Sequence, residues 1–145
     1  MLTKLFTYLK HEQQLLAQLV ALAEKQQKAL ISFNAADLEK VTAMQEEIAR
    51  SVESAEEYRI RLLITTFNLS RKDALRLKLS TIANALDQDQ KTALLKIKDN
   101  IKELIFRLNT VNKLNRTLAY RARNYVKEAL GVLTNGTNQV CNIKI

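Results

Sequence analysis

From Gln88 to Thr134 the chain reads QDQKTALLKIKDNIKELIFRLNTVNKLNRTLAYRARNYVKEALGVLT, and this stretch decides the fold. Leu94, Ile97, Ile101, Leu104, Leu108, Val111, Asn115, Leu118, Ala122, Tyr125 and Ala129 follow one another at alternating steps of three and four. That spacing lines one side of an α-helix and fits no strand. No Pro or Gly interrupts it before Gly131, and Asn135-Gly136 is a natural stop. At 1.5 Å per residue such a helix spans ~70 Å.

Upstream, Asp87-Gln88-Asp89 supplies the cap for this helix, and Ser70 with Asp73 caps a short helix running to about Leu86. That short helix carries Leu75, Leu79, Ile82, Ala83 and Leu86. Before it, Asn68-Leu69-Ser70 ends a long helix that starts near Ala35, with Leu38, Val41, Ile48, Val52, Ala55 and Leu62 as its apolar seam. Asn34 is the N-cap of that helix and Asp37 its first-turn carboxylate. The N-terminal helix, from Leu2 to Phe33, has Leu5, Leu9, Leu16, Leu19, Ala23, Leu30 and Phe33 on one stripe, widened by Leu15 and Leu22. Glu12 and Gln26 interrupt it, which argues against a long two-stranded coiled coil. The expected fold is therefore all-α: an antiparallel bundle of three long helices plus one short connecting helix. The first two helices are ~48 Å each, so the end of the last helix overhangs its partners. The bundle is expected over residues 1–136, with 137–145 a flexible C-terminal tail.

Composition agrees. In 145 residues there is no Pro or Trp, and both glycines, Gly131 and Gly136, fall in the last fifteen. A β or α/β domain of this size needs turn residues far more often. The net charge is +8 but uneven: residues 1–70 hold eight basic and nine acidic groups, residues 71–145 fifteen and six. A basic half of this kind is a solvated helix face or an electrostatic footprint for an acidic partner.

Catalytic constellations are missing. His11 is the only histidine and Cys141 the only cysteine, so neither a zinc helix motif nor a metal cluster is spelled out, and no glycine-rich phosphate loop exists. The reading is not an enzyme, with no cofactor. A lone cysteine excludes an internal disulfide and suits a reducing compartment. No signal peptide is expected, and the most apolar run, Leu15 to Ala23, is far short of the ~20 residues that span a bilayer. A cytoplasmic location follows from these expectations.

Asn109, Asn112 and Asn115 form the most informative polar feature. Asn115 falls on the apolar seam, where a buried amide costs stability but fixes register. Arg107, Lys113, Arg116, Arg121, Arg123 and Lys127 flank that seam, their stems able to cover it while their heads meet an acidic partner.

Three stretches carry a resemblance to a known family. One is Leu15-Leu16 followed by Glu24-Lys25-Gln26-Gln27-Lys28-Ala29-Leu30-Ile31 in the first helix. Another is the break and restart from Asn34 to Leu38. The last is Leu108-Asn109-Thr110-Val111-Asn112-Lys113-Leu114, followed by Leu118. On these, over roughly residues 2 to 134, the chain resembles the FlgN family of flagellar export chaperones. The resemblance implies binding, in the cytoplasm, of the C-terminal amphipathic helices of hook–filament junction (hook-associated) proteins. It also implies their delivery to the type III export apparatus at the inner membrane. Together with the overhang, it points to Leu114, Leu118, Tyr125, Val126, Leu130 and Leu133 as the docking surface, with Arg121 and Arg123 at its rim. Two other readings compete: a helical homo-oligomeric adaptor, including a homodimer built on the last helix, and a bundle that binds nucleic acid through phosphates alone.

Overall fold

The computed structural model describes residues 2–136, with side chains through residue 133. Five helices follow in order: α1 (Leu2–Ile31), α2 (Ala35–Phe67), α3 (Arg71–Arg76), α4 (Leu79–Ala83) and α5 (Gln88–Gly136). No strand occurs among the described residues. The all-α expectation holds, as do the boundaries of α2 and the start of α5. The polar tail from Thr137, including Cys141, lies outside the described residues.

The corners are made almost without glycine. At the end of α1 the Phe33 N–H donates to Leu30 O (3.4 Å) and the Asn34 N–H to Ala29 O (2.9 Å), with Phe33 at φ 53°. This is a Schellman closure, which satisfies helix-end carbonyls through one left-handed residue. Asn34 then caps α2: its Oδ1 accepts from the Asp37 N–H at 3.1 Å and its Nδ2 donates to Asp37 Oδ2 at 2.8 Å. Asn68, at φ 51°, ends α2 in the same left-handed way. Ser70 accepts from the Asp73 N–H (3.1 Å) to open α3, and Asp87 accepts from the Gln90 N–H (2.8 Å) to open α5.

Two local expectations are corrected. The short helix is two: Leu77 and Lys78 are extended, so α3 and α4 bend around the base and turn Ile82 and Ala83 onto the core. Phe33 leaves the apolar stripe, because it sits past the helix end in the left-handed corner and is 62% exposed. Along α2 the deepest residues near the base are Ile60 and Leu63, with Leu62 packed at their edge.

The core lies at the base, where Leu5 and Leu9 of α1 meet Ile60 and Leu63 of α2, Ala74, Ile82 and Ala83 of the short helices, and Leu94 and Ile97 of α5. Above it, among the described residues, only the three long helices continue, each antiparallel to the one before. α1 packs against both α2 and α5, while the backbones of α2 and α5 stay more than 8 Å apart and meet only through side chains at the base. Cross-helix bonds set the register: Arg59 with Glu12 and Gln45 with Gln26 on one side, Asn115 with Ala23 on the other. Phe33 meets Tyr125 at a centroid distance of 5.8 Å. The end of α1 is thus level with residues 122–125 of α5, and about ten more residues of α5 run ~15 Å past the α1–α2 corner.

Candidate helix-docking groove

Because α2 and α5 are held apart on α1, the upper half of the bundle has an open face. A groove of about 500 Å³ runs along it. Its floor is Leu19, Gln26 and Leu30 of α1. One wall is Leu38, Thr42, Gln45 and Ala49 of α2, the other Leu108, Asn112, Asn115, Arg116 and Ala119 of α5. Toward the α1–α2 corner it continues into a second, almost wholly apolar trough of about 490 Å³, between Phe33, Ala35 and Leu38 on one side and Ala122, Arg123, Val126 and Lys127 on the other. Leu30 and Leu38 belong to both.

The α5 wall is a single helical stripe. Asn112, Arg116, Ala119, Arg123 and Val126 recur at steps of three and four, so they share one side, and Leu130 continues the phase. α2 contributes Leu38, Thr42, Gln45 and Ala49 by the same rule. Most of these side chains are short or apolar, which leaves room for another helix at the usual 8–10 Å spacing.

A buried polar layer crosses the floor. Asn115 is 4% exposed; its Nδ2 donates to Ala23 O at 2.8 Å and to Gln26 Oε1 at 3.1 Å. Gln26 Oε1 also accepts from Gln45 Nε2 at 3.2 Å, so one amide ties all three long helices together. Asn115 Oδ1 is buried and has no hydrogen-bond partner among the described residues.

The residues anticipated as a docking surface fall on two sides of α5. Arg123 and Val126 line the trough, and Leu130, 40% exposed, is in phase with them. Leu114, Leu118, Arg121 and Tyr125 form a neighbouring stripe that does not line the groove. Of these, Tyr125 touches Phe33, Leu114 and Arg121 are exposed, and Leu118 is half-buried. Leu133 is exposed near the end of the helix. The sequence reading missed the α2 wall and the α1 floor. Gln26 and Asn115 were each visible as interruptions of a seam, but only their meeting marks the groove.

No group of three or more His, Cys, Asp or Glu side chains able to hold a metal occurs among the described residues. Among them, too, no helix is long and apolar enough to cross a membrane.

Fold and groove together define an all-α bundle with a helix-sized trough on one face. The sequence profile described as FlgN protein matches residues 1–143, and the chain belongs to the FlgN family, a family of flagellar export chaperones. Searches of curated proteins and of solved structures returned no match. Its partners are accordingly flagellar proteins.

Proposed function

We propose that this protein holds the C-terminal amphipathic helices of hook–filament junction proteins in the cytoplasm and passes them to the export apparatus at the inner membrane. The docking surface is the C-terminal half of α5: Leu114, Leu118, Tyr125, Val126, Leu130 and Leu133, with Arg121 and Arg123 alongside. The observation that supports it best is the reach of α5 beyond the α1–α2 corner with large apolar side chains in solvent, Val132 at 72% and Leu133 at 63% exposed. An apolar helix face left open in this way is the form that helix-in-groove recognition takes.

The test is titration calorimetry of the full chain with the cognate junction protein. Wild type binds; the double variant Val126→Glu, Leu130→Glu loses at least tenfold in affinity while its circular dichroism stays helical, since both positions face solvent. Unchanged binding by that variant removes the end of α5 from the surface, and absence of binding by wild type removes the reading itself.

A further inference from the structure

Building on that reading, we propose that the groove between α2 and α5 seats one partner helix in a fixed lateral orientation. Its carboxylates lie along the α5 edge and its basic residues along the α2 edge.

The two shoulders of the groove carry opposite charge. On α5, Arg116 and Arg123 line it directly, seven residues apart, and the residues lining both parts of the groove include no carboxylate. On α2, Glu39, Glu46 and Glu53 also recur at sevens. Each lies three or four residues from Thr42 or Ala49, which line the wall, so all three stand on that side of the helix; all are exposed. Flanking charges at seven-residue intervals beside an apolar seam are the arrangement by which helical bundles choose partner and orientation. A helix laid in the groove with its charges reversed would set like charges together on both edges.

Dimensions and chemistry agree on a helix as occupant. From Leu108 to Lys127 the α5 wall runs about 28 Å, some five turns. The floor is apolar except for the amide layer of Gln26, Gln45 and Asn115. A second copy of this chain fits poorly. Its α5 belongs to the half with fifteen basic and six acidic groups, and would set cations against Arg116 and Arg123.

The test uses a fluorescent peptide spanning the C-terminal helix of the cognate junction protein, and anisotropy with the full chain. Ala49→Trp and Ala119→Trp fill the groove from exposed positions on either wall; each is expected to weaken binding at least tenfold. Arg116→Glu with Arg123→Glu does the same, and a peptide whose acidic edge is changed to Lys recovers affinity for that double variant only. Phe106→Ala, on the outward side of α5, stays within twofold of wild type. Wild-type affinity in both tryptophan variants, or no recovery with the reversed peptide, overturns the groove while leaving the chaperone reading in place. A wild-type protein that ignores the peptide defeats both. A dimer by light scattering that both tryptophan variants abolish also overturns the proposal, because the groove is then a self-interface.

Discussion

The polar side chains that interrupt the apolar stripes are where sequence and structure meet most closely at the scale of single residues. Glu12 is 6% exposed and its carboxylate accepts from Arg59 Nε at 3.0 and 3.2 Å. Burial raises its pKa above the ordinary carboxylate value, and Arg59 pulls against that rise. A group whose folded pKa exceeds its unfolded one favours folding fully below the unfolded value. That contribution is lost as pH rises through the folded pKa. Arg59→Met therefore destabilises the protein by about 3 kcal/mol at pH 7, where a buried charge is stranded. The loss shrinks markedly near pH 4, where Glu12 keeps its proton. Urea unfolding at the two pH values checks this; equal losses would mean the pair acts through packing alone. Asn115 makes the converse prediction. Asn115→Leu removes a buried carbonyl without a partner but also the bonds donated to Ala23 O and Gln26 Oε1, so the unfolding free energy stays within about 1 kcal/mol of wild type; a loss of about 3 kcal/mol in urea unfolding contradicts it. The interruptions at Glu12, Gln26 and Asn115 were legible in the sequence. Their partners were not, because Arg59 lies 47 positions from Glu12 and Ala23 lies 92 from Asn115.

Elements were the most legible scale, since capping and periodicity act within a few residues. Asn34, Ser70 and Asp87 each cap the helix the sequence assigned to them. The division of α3 from α4 was not legible, because no Pro or Gly marks it. Leu77 and Lys78 extend so that apolar residues on both sides reach a core contributed mainly by other helices. α3 is also held electrostatically. Arg71 donates to both oxygens of Glu57 at 2.9 and 2.8 Å, and Arg61 adds a bond at 3.2 Å from one helical turn away. Arg71 first and Arg61 next lower the Glu57 pKa to about 2. A depressed carboxylate stabilises above its unfolded pKa and withdraws that support as pH falls through the folded value. Between pH 4.5 and 2, the protection factors of the α3 amides are expected to fall ahead of those in the rest of the bundle, and high salt to weaken the same tether at neutral pH. Hydrogen exchange followed by NMR reads both. Uniform exchange across α2 and α3 over that range would show that apolar packing at Ala74 alone holds the helix.

Among the described residues, the bundle leaves one face open beside its three long helices. Unequal helix lengths made the overhang of α5 legible from residue spacing alone. The groove was not, because it depends on which flanks of α1 receive α2 and α5, a choice made by contacts between residues far apart in sequence. The same geometry divides the surface anticipated on α5 into a stripe facing the groove, with Arg123, Val126 and Leu130, and a neighbouring stripe that does not line it, with Leu114, Leu118, Arg121 and Tyr125. Capture of a partner helix on the open face is the central claim. It is tested most directly by photocrosslinking the full chain to its junction protein, with a photoreactive phenylalanine at position 49, 119 or 106. Crosslinks are expected from 49 and 119 into the C-terminal helix of the partner and none from 106. Crosslinks from 106 with silence at 49 and 119 would contradict it.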